Sequence, residues 1–168
     1  MHRDVRILDF GLAKELKLRD LVQPPDGYDA TGLTGSRRYM APECVCCHPY
    51  GLAADVYSFS ILLWQIFSLQ TPFPTWDARK HYEMVVERGK RPARLGNHVA
   101  PSAVRKLMVA GWSADASKRP TFEQICEDLQ AEIMEHAHDV SVSSLADRSF
   151  HLLDHSVRSL ATLDYVDP

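Results

Sequence analysis

Two short triplets near the start of the chain hold residues whose types could do chemistry. His2-Arg3-Asp4 and Asp9-Phe10-Gly11 each contain an aspartate, a side chain that can accept a proton or bind a hard divalent cation. Either triplet alone is a weak signal. Their meaning therefore depends on the residues that follow and on the elements that hold them in place.

A cluster of cysteines is the second group of residues that could have a chemical function. Three of the four cysteines, together with His48, fall in the five-residue segment from Cys44 to His48. A zinc ion needs ligands that converge on it tetrahedrally, and five consecutive positions on one local segment do not easily wrap one ion. The pattern therefore favours half-buried thiols on a helix over a zinc site.

The overall composition restricts the class of protein. The chain has 168 residues, is 45% hydrophobic and 24% charged, and has a formal net charge of -3, which predicts one globular domain. Without clustered Lys and Arg, it is not expected to bind nucleic acid. The most apolar run, Tyr57 to Phe67, is too short to span a membrane. No secretory signal is visible, so we expect a cytoplasmic or nuclear protein without a membrane partner.

The elements that position these residues follow from the sequence pattern. Val5 to Leu8 is apolar and β-branched, which predicts a short strand, and the stretch from Leu12 to Leu33 collects Pro and Gly, which predicts a long loop. Gly51 to Ser68 is apolar on nearly every face, as expected of a helix surrounded by protein. From Asp55 onward the pattern predicts an all-helical body.

Three further helices are predicted in that body. One begins at a Thr75 cap and ends at Gly89, with Trp76, Tyr82, Val85 and Val86 placed for packing. The second has an apolar stripe formed by Val104, Leu107, Met108 and Trp112. The third begins with a capping box of Thr121 and Gln124 and continues with Ile125, Leu129 and Ile133, spaced four apart.

The last part of the chain differs in composition. Residues 137–168 form a Ser- and His-rich tail, in which Phe150, Leu153, Val157 and Leu160 follow a heptad-like spacing. This spacing predicts an amphipathic helix from about Ser143 to Thr162 that needs a surface on which to dock.

Four signatures occur in one order along the chain, namely "ILDFGLAK", "GSRRYMAPE", "AADVYSFSILLWQI" and "WSADASKRPTF". Together they resemble the C-terminal lobe of a eukaryotic protein kinase, and more narrowly the tyrosine-kinase-like group of Ser/Thr kinases. The resemblance implies a mainly α fold, a helical C-lobe bundle with a short N-terminal strand and no N-lobe. It places a partial kinase domain at residues 1–136, with an activation segment at 9–43 and a helical body at 44–136.

The resemblance also implies roles for individual residues. Asp9 is similar to the carboxylate that holds Mg2+ against the ATP phosphates, Phe10 to the packing residue beside it, and Gly11 to the flexible position that follows. Asp4 is similar to the residue that receives the substrate proton. Ser36 stands where Ser/Thr kinases carry a hydroxyl next to the protein substrate.

Further roles implied by the resemblance concern regulation and architecture. Thr31, Thr34 and Tyr28 are candidate phosphorylation sites in the activation segment, with Arg37 and Arg38 as local partners for a phosphate. Glu43 and Arg119 resemble the ion pair that ties the activation segment to the helical body. Asp55 resembles the carboxylate that binds the backbone of the catalytic loop.

The chain departs from the kinase pattern at its start. Kinases place an Asn five positions after the Asp of H-R-D, and here that position is Asp9 itself. Either a stretch between Asp4 and Val5 has been lost, or the first triplet is a chance occurrence in a truncated start. The 168 residues also contain no glycine-rich loop and no V-A-I-K lysine.

Two hypotheses about function follow from this departure. The chain is part of an ATP- and Mg2+-dependent Ser/Thr protein kinase that is inactive as written, or it is a non-catalytic, pseudokinase-like module that docks a protein partner. An unrelated helical protein remains only if the ordered signatures are accidental.

Overall fold

The structure, a computed structural model, describes residues 6–23 and 27–136. Within these ranges the elements are strands β1 (Leu21–Gln23) and β2 (Gly27–Tyr28), and helices α1 (Pro42–Val45), α2 (Ala53–Ser68), α3 (Ala78–His81), α4 (Ser102–Gly111) and α5 (122–136). Short 3-10 turns cover Leu18–Asp20, Arg37–Tyr39 and Ala116–Lys118. The fold is mainly α, as the kinase C-lobe resemblance implies.

The predicted N-terminal strand is wrong where the structure tests it. Residues 6–10 have no regular structure, and Ile7 and Leu8 are 82% and 80% exposed. A strand needs a neighbour to accept its hydrogen bonds. In the described ranges β1 and β2 pair as an antiparallel hairpin, and Tyr28 of β2 also bridges to Tyr50, but neither strand pairs with residues 6–8. That hairpin interrupts the stretch from Leu12 to Leu33 that was predicted to be one loop.

Helix α2 lies at the centre of the core. It begins at Ala53, two residues after the predicted start, and ends where Leu69 adopts a left-handed backbone conformation. Tyr57 and Ile61 are 1% and 0% exposed, whereas Leu62 and Ile66 on another face are 44% and 56% exposed. The helix is therefore covered on most of its circumference but not on all of it.

Helices α2 and α4 pack closely because a glycine permits it. A Cβ atom on Gly111 would lie 1.9 Å from the Ser60 hydroxyl, so no larger residue fits at the end of α4. The predicted apolar stripe of α4 is confirmed, since its members, Val104, Leu107, Met108 and Trp112, are all buried. The stripe supplies one wall of the core.

The predicted start of helix α3, at a Thr75 cap, is wrong by two residues. Asp77 caps α3, because its Oδ1 accepts a hydrogen bond from the backbone N–H of Lys80 at 2.8 Å. Thr75 and Trp76 precede the helix. A wider π-helical turn, Tyr82–Glu87, follows α3. The helical stretch ends at Gly89, which has a positive φ of 62°, and the predicted stop at this glycine is confirmed.

The capping box of α5 is confirmed. The backbone N–H of Thr121 donates to Gln124 Oε1 at 2.9 Å, and the N–H of Gln124 donates to Thr121 Oγ1 at 3.3 Å. The chain forms two compact units that divide after Ile125, within this helix. In the second unit His136 lies 3.0 Å from Glu132, one helical turn earlier.

Predictions at both ends of the chain fall outside the described residues. At the start these concern the strand residue Val5 and the catalytic candidate Asp4, and at the end they concern the tail at 137–168 with its apolar stripe. None of the helices in residues 6–23 and 27–136 is long and apolar enough to cross a membrane.

Candidate functional site

The Asp9-Phe10-Gly11 triplet lies in an exposed segment. Phe10 is 69% exposed, and Asp9 has a positive φ of 64°, a conformation that aspartate tolerates better than most residues. The Asp9 carboxylate accepts a hydrogen bond from the backbone N–H of Gly11 at 3.2 Å, which stabilises this tight turn. Asp9 is itself exposed.

A magnesium site needs several oxygen ligands in an octahedral arrangement. Within the part of the chain that the structure describes, no group of three or more His, Cys, Asp and Glu side chains is placed to hold a metal ion. Mg2+ that is bound together with ATP takes one or two protein carboxylates and fills its shell with phosphate and water oxygens, so Asp9 would supply one such ligand. The thiols of Cys44, Cys46 and Cys47 belong to no such group among the described residues, and all three are free.

A cavity of about 290 Å3 lies between α2 and the predicted activation segment, residues 9–43. We call it the activation-segment cavity. Residues from two parts of the chain line it: Leu12, Thr31, Leu33, Thr34, Ser36, Tyr39, Met40, Ala41, Cys44 and Tyr50 on one side, and Ala54, Asp55 and Ser58 of α2 on the other. The structure thus brings four predicted site residues, Thr31, Thr34, Ser36 and Asp55, to one cavity.

Hydrogen bonds define the walls of this cavity. Ser58 donates to the Tyr39 carbonyl at 2.8 Å, which ties α2 to the 3-10 turn of the activation segment. Thr34 donates to the Thr31 carbonyl at 3.0 Å, and Tyr50 donates to the same carbonyl at 2.8 Å. The two threonines are exposed, so their positions are held without being buried.

Asp55 is the acidic group of the cavity. More than a third of the residue is accessible, yet the carboxyl itself is partly withdrawn from water, and this desolvation raises its pKa. No donor from residues 6–23 or 27–136 lies within hydrogen-bond distance of its carboxylate. A donor-bearing group placed in the cavity would relieve the cost of keeping Asp55 ionised.

Glu43 and Arg119 form a paired contact although 76 positions separate them. Arg119 donates from Nη1 to Glu43 Oε1 at 2.6 Å and from Nη2 to Glu43 Oε2 at 2.9 Å. Its side chain is fully buried, and that of Glu43 is 16% exposed. The planar guanidinium meets the carboxylate with two parallel bonds and links the end of the activation segment to the residues before α5.

The order of these elements along the chain agrees with comparisons with known proteins. The chain matches the family of protein tyrosine and serine/threonine kinases over residues 1–129. It belongs to this protein kinase family. The tyrosine-kinase-like group fits the relatives described next.

Three curated relatives show how much of a kinase the chain covers. It is 36% identical over 129 residues to the serine/threonine-protein kinase VIK of Arabidopsis thaliana, covering 75% of this chain and 28% of that protein. It is 34% identical over 128 residues to the macrophage colony-stimulating factor 1 receptor 2 of Takifugu rubripes, covering 75% and 12%. It is 32% identical over 162 residues to the mast/stem cell growth factor receptor Kit of Canis lupus familiaris, covering 93% and 16%.

Those shares mean that the chain spans between 12% and 28% of the length of these kinases. The described helices carry its part of the kinase domain. The activity and partners of a whole kinase are therefore matters for proposal.

The ion pair of Glu43 and Arg119 has a neighbour that the sequence did not reveal. The guanidinium of Arg119 lies 5.2 Å from the centre of the Tyr57 ring, and that of Arg91 lies 5.1 Å from the same centre. Burial raises the pKa of Tyr57 to about 12, although both cations act in the opposite direction. Arg91 lies in a segment without periodicity, so no pattern pointed to it.

His81 is a second residue that the sequence did not single out. It is 3% exposed, and neither ring nitrogen has a hydrogen-bond partner among the described residues. Its ring makes edge contacts with Phe73 and Trp76. Desolvation, and secondarily the charges of Arg37 and Arg91, lower its pKa. A lone histidine within a predicted helix gives no sign of such burial.

Proposed function

We propose that the kinase to which these residues belong transfers the γ-phosphate of ATP to serine or threonine hydroxyls of protein substrates, in the presence of Mg2+. The observation that supports this proposal is the activation-segment cavity, which Thr34 and Ser36 both line on the segment that the resemblance assigns to substrate binding. The name of the VIK relative supports a Ser/Thr specificity over a tyrosine specificity.

Within this proposal, the 168 residues on their own transfer no phosphate. Phosphoryl transfer depends on positioned charges around the phosphates. Asp9 is exposed and belongs to no group of three or more metal-binding side chains in the described ranges, and the sequence contains neither the glycine-rich loop nor the paired lysine. The chain contributes the activation segment and the helical body.

The assay for this proposal has two arms. In the first, the purified chain is incubated with radiolabelled ATP, Mg2+ and a peptide library that offers Ser, Thr and Tyr, with Asp9→Asn as the matched variant. We expect no incorporation of phosphate by either protein. Incorporation that depends on Asp9 would refute the proposal that the chain is inactive by itself.

In the second arm, the transcript is read upstream of Met1 and across the junction of Asp4 and Val5, and the complete reading frame is expressed. We expect phosphate on Ser and Thr residues of the same library. Phosphate on Tyr alone would refute the Ser/Thr specificity while leaving the family assignment unchanged.

We propose as the second candidate a non-catalytic kinase-like module that binds a protein segment. The supporting observation is the partly desolvated carboxylate of Asp55 at the activation-segment cavity. A segment that presents backbone N–H groups or a cation would satisfy it. An upstream reading frame without the glycine-rich loop and lysine would favour this candidate, and their presence in frame would favour the first.

We also propose that the activation segment is regulated by phosphorylation. Thr31 and Thr34 are exposed and Tyr28 is half-buried, while Arg37 and Arg38 lie on the turn that follows. A phosphate on either threonine would add roughly two negative charges to the segment that carries these two arginines. Mass spectrometry of the protein from eukaryotic cells tests this, and an activation segment without phosphate under all growth conditions would contradict it.

The compartment that we propose is the cytoplasm or nucleus. Its support is that all four cysteines carry free thiols, including the exposed Cys47 and Cys126, which suits a reducing environment.

A further inference from the structure

A second cavity, of about 410 Å3, lies against α4 and the segment that precedes it. We call it the α4 cavity. Its volume falls within the range of roughly 300 to 1,000 Å3 that is usual for ligand sites. It shares no lining residue with the activation-segment cavity.

The floor of the α4 cavity is apolar. Met108 and Trp112 are buried below it, Leu95 is half-buried at one wall, and Val109 is 39% exposed at the mouth. Val109 is a large apolar residue on an otherwise amphipathic helix, and its exposure leaves apolar area uncovered. Such a floor suits one or two large apolar side chains.

The rim of the same cavity is cationic. Arg94, Arg105 and Lys106 line it, and no Asp or Glu does, although the whole chain has more acidic than basic residues. Among residues 6–23 and 27–136 none of these three cations has a carboxylate within 4.0 Å. Arg105 is oriented by a hydrogen bond from Nε to the Ala100 carbonyl at 3.1 Å, which leaves its terminal amino groups for another acceptor.

We propose that the α4 cavity binds an acidic peptide segment of a partner protein, with an apolar side chain on the floor and Asp or Glu side chains at the rim. Charge complementarity identifies the occupant. Three cations on two separate pieces of backbone need several carboxylates at different positions, which one small monocarboxylate does not supply and a peptide does. The apolar floor requires that the acidic residues flank a large apolar one.

The test measures binding of a fluorescein-labelled peptide to the full 168-residue chain by fluorescence anisotropy. The probe has two leucines at its centre and two aspartates on each side. Two matched peptides replace the aspartates with asparagines or with lysines. We expect saturable binding of the aspartate peptide that weakens as salt is added, and at least about tenfold weaker binding of both other peptides.

A charge reversal on the protein makes the test specific to this cavity. In Arg94→Glu/Lys106→Glu we expect the preference to invert, so that the lysine peptide binds more tightly than the aspartate peptide. The matched control is Arg79→Glu/Lys90→Glu, which changes the net charge equally at exposed positions that do not line the cavity. The control should bind the aspartate peptide about as tightly as the unchanged chain.

Several results would overturn the proposal. They are no saturable binding of the aspartate peptide, equal binding of the asparagine peptide, equal losses in the two double variants, or binding of decanoate that is as tight as that of the peptide. Because the peptide series uses the unchanged protein, the proposal stays testable even where a variant loses its fold, which circular dichroism reveals.

Discussion

Replacing Arg119 with alanine should destabilise the protein more than any substitution of a surface cation. The side chain of Arg119 is fully buried and donates four hydrogen bonds. Two of them reach Glu43, and the other two reach the carbonyls of Ser113 at 3.0 Å and Ala53 at 2.9 Å. Alanine removes all four and leaves a largely buried carboxylate without its cation.

The expected loss follows from this geometry. Breaking a buried ion pair by removing one partner typically costs about 3 to 5 kcal/mol, because the remaining charge is unpaired. Glu43→Ala should cost somewhat less than Arg119→Ala, since Arg119 retains its two carbonyl acceptors. Arg119→Lys should recover only part of the loss, because one ammonium group cannot reproduce the planar fork that meets two carboxylate oxygens.

The assay is urea unfolding followed by circular dichroism at neutral pH, on both single variants and the double variant. The double-variant cycle gives the coupling between the two side chains. Lys118→Ala is the matched control, because Lys118 is adjacent in sequence but its contact with Asp115, at 3.6 Å, is exposed, and it should cost under about 1 kcal/mol. Losses of a few tenths of a kcal/mol that add without coupling would refute the reasoning.

Three further predictions concern other parts of the chain. His81 has a lowered pKa in the fold, so below about pH 6.5 the unfolded state binds the proton more readily and the stability of the protein falls on acidification. We expect His81→Phe to reduce this loss of stability, measured as the difference between urea midpoints at about pH 7.5 and about pH 5.5. An equal loss in the variant would contradict the prediction. Burial raises the pKa of Cys44 to about 12, so iodoacetamide should modify the exposed Cys47 first in peptide mapping, and faster labelling of Cys44 would be the opposite result. Leu62 and Ile66 are exposed apolar residues of α2, so the double variant Leu62→Gln/Ile66→Gln should self-associate less in sedimentation velocity and keep the same unfolding midpoint. If the protein without these substitutions is already a monodisperse monomer, the prediction is wrong.

Much of the fold class could be predicted from the sequence because its signals are local. The stripe of α4 follows from apolar residues at helical spacing, and the capping box of Thr121 and Gln124 needs only residues three apart. The ordered signatures led to the kinase family, which the match over residues 1–129 shows. Each of these features depends on residues that are close together in the sequence, so it can be predicted without knowing any tertiary contact.

What only the tertiary structure decided depends on contacts between distant residues. Residues 6–8 do not form a strand, because β-structure requires a partner that periodicity does not supply. Asp77 and not Thr75 caps α3, since a cap depends on where the backbone turns into the helix. Three other features arise from segments that meet only when the chain packs, so no sequence pattern predicts them. They are the burial of His81, the position of Arg91 beside Tyr57 and the cationic rim of the α4 cavity.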